Sequence, residues 1–295
     1  MEEYILLFET YLKNEKKMAH NSVLAYKRDL LELEGFLGEK AREGLDGICN
    51  TDIISYLLHL KNQGKSAATV NRKLASIRAF FQFAVAQGMM KENPSFNIKS
   101  PKIERKAIEY LTVEEVERLL SQPDASIKGL RDRALLELMY AAGMRVSEVA
   151  GANLTDLNLR IGFITCDGEL GKARIIPLGR PARAALETYI YDSRPRIVGG
   201  RDDCGALFVN YNGCRLTRQG IWKVLKEYAK DSGLSDKLKP QTLRNSFAVH
   251  MVQNGADLKS LQELLGHEDL TATQIYLSVS KNRIKDVYDK THPRA

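Results

Sequence analysis

The chain has 295 residues, 44% of them hydrophobic and 27% charged, with a formal net charge of +7 and an isoelectric point near 9.1. That composition excludes a disordered chain and favours about two domains with real cores, and no run approaches the ~20 apolar residues of a membrane span. The opening MEEYILLFETYLKNEKK is acidic and broken by charges, unlike a secretory signal, so the protein is expected in the cytosol.

Residues 1–90 read as four helices forming a first domain. YILLFETYL carries apolar residues at Tyr4, Leu7, Phe8, Tyr11 and Leu12, a helical stripe. Ser22 can cap VLAYKRDLLELEGFL, which stops near Gly38, and Thr51 can cap DIISYLLHLKNQG, which stops at Gly64. Ser66 opens AATVNRKLASIRAFFQFAVAQG, which stops at Gly88. On this last helix Val70, Leu74, Ile77 and Phe81 share one stripe, and Thr69, Arg72, Lys73 and Ser76 share another. The second stripe is either a solvated face or, with Lys27 and Arg28, a phosphate-binding surface that the small Thr69 lets come close to a backbone.

Residues 91–110, KENPSFNIKSPKIERKAIEY, hold two prolines and little apolar periodicity, and read as a basic linker. The second domain, 111–295, opens on a capping box of Thr112 and Glu115. RDRALLELMYAAG is a strongly apolar helix ending at Gly143. Three short runs, IGFITC, ARIIPL and ALFV, are strand-like, and the first two are expected to pair as a hairpin across DGELGK. Helices dominate afterwards. The basic balance of the whole chain suits a nucleic-acid partner without demanding one. Cys49, Cys166, Cys204 and Cys214 lack C-x-x-C spacing and read as reduced thiols; the five histidines are scattered. No protein-built metal site is expected.

Three motifs stand in order: AAGMRVSEVAGANLTDL (141–157), the hairpin GELGKARIIPLG (168–179), and LKPQTLRNSFAVHMVQNGADLKSLQELLGHEDLTATQIY (238–276). Together they resemble the tyrosine site-specific recombinases, most closely the Xer type, over nearly the whole chain. The resemblance implies a mainly α fold with a small β-sheet: an N-terminal four-helix core-binding domain and an α+β catalytic domain with a C-terminal tail helix. It implies that Tyr276 is the nucleophile, that Arg145 and Arg244 clamp the scissile phosphate, that His267 donates to it, and that Glu148 supports Arg145. Without the resemblance, Arg145 would read as the partner of Glu148 at i+3, and His267 as a structural residue after the helix-ending Gly266.

The chemistry requires such groups. Strand cleavage by transesterification passes through a five-coordinate phosphate with extra negative charge on its non-bridging oxygens. Arginine offers them a permanently charged, planar fork of donors. A phenol, with a reference pKa of about 10, must lose its proton during attack, and the departing 5′-oxygen must gain one. The phosphotyrosine conserves the bond, so rejoining needs no cofactor.

Two positions depart from the family pattern. Where a histidine usually stands three residues before the second arginine, this chain has Gln241, which can donate to a phosphoryl oxygen but cannot act as an acid or base near neutral pH. Where the hairpin lysine that protonates the leaving oxygen usually stands, this chain has Glu169, with Lys172 three residues later. Lys172 either takes that role through a shifted turn or is an ordinary phosphate contact. Further DNA contacts are expected from Arg215, Thr217, Arg218 and Gln219, which precede or open a helix.

The implied partner is double-stranded DNA with an inverted-repeat site, bound by a homotetramer or heterotetramer. Its subunits would be linked by the tail, where Ile284, Val287 and Tyr288 fall at helical spacing. The implied setting is chromosome dimer resolution or movement of a mobile element. Two rivals remain open: a non-catalytic or weakly active DNA-binding member of the same fold, and a type IB topoisomerase-like relaxing enzyme.

Overall fold

A computed structural model describes residues 1–102, 107–167, 173–267 and 269–276. The chain divides into two compact units, Met1–Lys106 and Ala107–Ala295.

The first unit is helical: α1 (Glu2–Asn14), α2 (His20–Leu37), a short α3 (Glu39–Glu43), α4 (Asn50–Asn62) and α5 (Ala67–Ala86). The four long helices are the expected ones; α3 lies in a stretch that showed no periodicity. Ser66 caps α5 by accepting from the Thr69 amide, whereas α2 and α4 begin a residue or two before the expected caps Ser22 and Thr51. The buried stripe of α1 is Ile5, Phe8 and Leu12; Leu7, expected inside, is 46% exposed. Phe8, Leu30, Leu33, Ile53, Tyr56, Leu74, Ile77, Phe80 and Phe81 fill the core. Each such side chain contributes roughly 1.5–3 kcal/mol of burial free energy.

The start of the proline-containing segment lies on this unit. Asn50 donates to the Pro94 carbonyl and Asn71 to that of Pro101, at 2.9 and 2.8 Å. Arg78 donates to the Ser100 hydroxyl and the Ile98 carbonyl. These bonds satisfy carbonyls that have no ladder of their own.

The second unit opens with α6 (Val113–Leu120), started by the Thr112–Glu115 capping box. Then come α7 (Ile127–Ala142) and α8 (Val146–Gly151), and a small antiparallel sheet of β1 (Leu157–Asn158), β2 (Phe163–Asp167) and β3 (Ala173–Pro177), in that order. The hairpin is the expected pair of runs, in the register Ile164↔Ile176 and Cys166↔Arg174. The third strand is not: ALFV makes only isolated bridges, Ala206 to Asn153 and Val209 to Arg215, and the two-residue β1 takes the place beside β2. Its four residues are fully buried in the main core, so the apolar run marked a core segment rather than a ladder.

There follow α9 (Arg180–Thr188), a π-helical turn at Tyr189–Ser193, α10 (Arg194–Val198), α11 (Arg218–Asp231), α12 (Thr242–Gln253), α13 (Leu258–Leu265) and α14 (Thr271–Gln274). The fold is mainly α with a small β-sheet. No helix among the described residues is long and apolar enough to cross a membrane. The expectations placed on Glu169, Lys172 and the tail residues Ile284, Val287 and Tyr288 lie outside the described residues.

Candidate active site

Helix α7 ends at Gly143, whose φ of +56° is left-handed. An added Cβ there would lie 2.4 Å from a ring carbon of Phe247 on α12. Only glycine permits both the backbone turn and this close approach. The approach lets Arg244, on the first turn of α12, donate to the Gly143 carbonyl at 2.7 Å. The chain then turns at Arg145, which starts α8, and Glu148 folds back to accept from the Arg145 amide (2.7 Å) and Nη1 (2.8 Å).

Glu148 is the centre of a cationic cluster. Arg174, on β3, donates from Nη1 and Nη2 to its two oxygens at 3.1 and 2.8 Å. Arg244 Nη1 lies 3.8 Å from Oε2. Three guanidiniums surround one carboxylate, leaving an excess of two positive charges in a largely buried place. Burial opposes ionisation of Glu148, but Arg174 and the Arg145 amide more than offset it and hold the carboxyl below its usual range. Arg244, 3% exposed, is brought down to about 10 by burial first and by Arg145 next, against the pull of Glu148. Removal from water is the larger cause and the neighbouring guanidinium adds to it, so an anion entering here would relieve the Arg244 cation.

His267 follows Gly266, which ends α13 in the left-handed region. Its Nε2 lies 3.1 Å from Arg244 Nη2, and its Nδ1 lies 2.9 Å from the Thr273 hydroxyl. A guanidinium only donates, so Nε2 is the acceptor and Nδ1 carries the hydrogen. Burial, aided by the Arg244, Arg145 and Arg174 charges, holds this imidazole down at about 4, so it is neutral at physiological pH.

Tyr276 lies just past α14 and is 3% exposed, packed in a small cluster with Phe247, Ala248 and Leu265. Its hydroxyl donates to Asn245 Oδ1 at 3.2 Å, and Asn245 Nδ2 donates to the Glu109 carbonyl at 3.0 Å. Burial raises the phenol's pKa while Arg244 and Arg145 act against the rise. Gln241 is exposed at the residue before α12, with no side-chain cap bond.

Arg145, Glu148, Arg244, His267 and Tyr276, drawn from 132 residues of sequence, thus form one neighbourhood. Residues 109–283 match the phage integrase family, and residues 5–88 match the phage integrase N-terminal SAM-like domain. The chain belongs to the phage integrase family. It is 43% identical over 289 residues to the tyrosine recombinase XerD of Oceanobacillus iheyensis, covering 98% of this chain and 97% of that one. It is 42% identical to the XerD of Listeria innocua, over the whole of both. A putative tyrosine recombinase of Caldanaerobacter subterraneus is 45% identical, across 98% of this chain and 97% of that one. In fold it matches XerH recombinase bound to a palindromic difH substrate, with a TM-score of 0.74 at 23% identity and coverage of 97% and 84%. It also matches a lambda integrase dimer bound to a COC′ core site, with a TM-score of 0.70 at 20% identity and 94% coverage of both.

In this XerD-like tyrosine recombinase, three residues expected on the DNA face are engaged internally. Lys73 is 4% exposed; its ammonium lies 2.6 Å from Glu32 and 3.3 Å from Asp29, both on α2. Ser76 is buried and donates to the same Asp29. Arg215 donates to the carbonyls of Ala150, Gly151 and Ala152 and to Asn153 Oδ1. It closes the carboxyl end of α8, satisfying groups a helix leaves orphaned. Arg72 is half-exposed and paired with Asp29, and Lys27 pairs with Glu9 at 2.8 Å. Arg28, Arg218 and Gln219 are exposed, and Thr217 caps α11 through the Gly220 amide. Thr69 shares a hydroxyl contact with Ser66.

Arg174 was missed by motif reading. Strand alternation marks it, because it falls two residues before the buried Ile176 on the core side of β3. An arginine at an inward register needs an acid inside.

Proposed function

We propose that this recombinase cuts and rejoins duplex DNA through a 3′-phosphotyrosyl link at Tyr276. The observation that carries the reading is the excess of positive charge that Arg145, Arg174 and Arg244 make around Glu148 beside a buried tyrosine and a neutral histidine. A phosphodiester is the anion that such planar donors suit, and the charge it develops in the transition state is what they stabilise.

In the reaction, Tyr276 Oη forms a bond to phosphorus, and the bond from phosphorus to the 5′-oxygen breaks. Arg145 and Arg244 turn donors to the non-bridging oxygens. The phenol proton needs an acceptor. Gln241 is not one, and Glu148 is held ionised by its arginines, which makes it a weak base. His267 is also a weak base while burial and the arginine charges depress it, but its Nε2 is unprotonated; the negative charge of a bound phosphate offsets that depression, and the ring then takes the proton and donates it onward to phosphate. Lys172 supplies the proton of the departing 5′-hydroxyl. Attack by the 5′-hydroxyl of a partner strand reverses the chemistry, and a second round resolves the Holliday junction. Gln241 and Glu169 reduce the rate relative to family members with histidine and lysine there, while leaving DNA binding intact.

The relatives at full length are recombinases by name, and structures of the same fold hold DNA sites. The partner here is accordingly an inverted-repeat duplex, engaged by Arg28, Thr69, Arg72, Thr217, Arg218 and Gln219. Protomers are joined through the tail, as a homotetramer or with a second recombinase. A nicked duplex that loses its short 5′ fragment tests this reading: the chain should accumulate a covalent adduct, and Tyr276→Phe should bind equally and form none. Binding without any adduct would leave only a DNA-binding protein of this fold. Relaxation of supercoiled plasmid lacking a site would favour the topoisomerase-like alternative.

A further inference from the structure

We infer that Arg174 is a positioning residue for strand cleavage: it locks Glu148, and with it Arg145 and Arg244, to strand β3 and to the loop that carries His267. This rests on the active site proposed above and adds to it a residue whose donors face the protein.

The geometry is specific. On β3 the inward register pairs Arg174 with Cys166 and Ile176 with Ile164, and Cys166, Ile164 and Ile176 are all buried. The Arg174 side chain, 10% exposed, spans both oxygens of Glu148 with its two terminal nitrogens. Its Nε donates sideways to the Leu264 carbonyl at 2.8 Å, in the last turn of α13. One planar group thus ties together β3, α8 and the end of α13, from three segments 26 to 116 residues apart in the chain. Lysine, with a single nitrogen, cannot span a carboxylate and a carbonyl in this way.

Gly266 shows how close the fit is. Its φ is +64°, and a Cβ there would lie 2.8 Å from Arg174 Nη1 and 3.1 Å from Cδ and Cζ. The backbone that leads into His267 therefore lies directly against the Arg174 side chain. Energetics point the same way. A third arginine beside the partly buried Arg145 and the buried Arg244 costs free energy in the absence of an anion, and an apolar side chain in this register would cost less. What the guanidinium supplies is orientation. It holds the acid that sets the Arg145 fork, and it holds the end of α13 that leads into His267, so a change at Arg174 displaces groups on two separate elements of the proposed site.

The test uses the full chain carrying Arg174→Lys or Arg174→Met on the nicked duplex. Adduct formation at saturating protein should slow by about 10²-fold in both, the scale of an ångström of misplacement, while the Kd for intact duplex stays near the parent value. Methylguanidinium should restore part of the rate to Arg174→Ala, and an equal concentration of sodium chloride should not. Trp222 fluorescence, on the same unit, establishes that each variant is folded; if the methionine variant is not, the lysine variant carries the test. Parent-like adduct rates, or a loss that falls equally on binding and rate, would overturn the assignment. If the parent chain itself forms no adduct, the active-site reading fails instead. The His267 ring titration then judges Arg174 alone, in Arg174→Lys, which keeps the charge: an unchanged titration overturns the tether, and a shifted one upholds it.

Discussion

Glu148→Gln removes one charge and almost no volume, and the structure gives the cost. The carboxylate accepts from the Arg145 amide, from Arg145 Nη1 and from both terminal nitrogens of Arg174, with Arg244 at 3.8 Å. A glutamine keeps one accepting oxygen and turns an NH2 group toward guanidinium donors. Three clustered cations are then left with no counter-charge. Breaking a buried charge pair by removing one partner typically costs about 3–5 kcal/mol. For a unit of this size each kcal/mol moves the melting midpoint by about 2–4 °C, so the variant should melt about 6–20 °C below the parent. The chain has one tryptophan, Trp222 on α11, so its fluorescence follows the second unit without interference from the first. Inorganic phosphate should stabilise the variant more than the parent, because an anion can occupy the uncompensated cluster and ligand binding adds to apparent stability. A variant that melts with the parent and gains nothing from phosphate would refute the view that Glu148 balances these arginines.

The His267 imidazole, held at about 4, makes stability depend on pH. Above its unfolded value of about 6.5 both states are neutral; as pH falls toward 4 only the unfolded chain takes the proton, so folding weakens. Allowing for the partial exposure of the ring, the loss should be about 1–2 kcal/mol, and urea titrations of His267→Gln should lack it. Arg218→Ala should reduce the salt dependence of duplex affinity by about one phosphate, a change of ~0.9 in the logarithmic slope. Lys73→Ala should leave that slope unchanged and lower the stability of the first unit, followed by far-ultraviolet circular dichroism, by about 3 kcal/mol. Gln241→His should raise the adduct rate by about tenfold or more; an unchanged rate would place that residue away from the scissile phosphate.

The helices of the first unit and the β2–β3 hairpin were legible because their apolar spacing and glycine stops act over a few residues. The neighbourhood of Arg145, Glu148, Arg244, His267 and Tyr276 could be named because motif order carried it; spacing alone would have left Arg145 a local partner of Glu148. What failed was the reading of single cations. Lys73 and Arg72 sit one position apart on the same stripe, and periodicity cannot say that Asp29 and Glu32 of α2 draw one of them inward. Arg215 looked like a DNA contact because it precedes a helix, but its donors face the far end of α8, a relation between residues 62–65 apart in the chain. Arg174 was the reverse case: strand alternation puts it on the same face of β3 as the buried Ile176, and an inward arginine on a short strand implies an acid within reach, here Glu148.

Groups of the proposed site are engaged by protein partners. Arg244 spends its terminal nitrogens on the carbonyls of Gly143 and Leu265 and on His267. Tyr276 gives its hydroxyl hydrogen to Asn245, and Asn245 can present only its oxygen there because its NH2 group is committed to the Glu109 carbonyl. An amide oxygen accepts a hydrogen bond but does not accept a proton, so this contact keeps the phenol neutral, in the direction burial already pushes it. The electrostatic excess around Glu148 pulls the other way. A phosphate entering the cluster would satisfy that excess and compete for the donors of Arg244, releasing Nε2 of His267. Under the proposed roles, protein contacts hold the Tyr276 phenol protonated and His267 Nε2 engaged, and a substrate phosphate between the arginines would compete for those contacts.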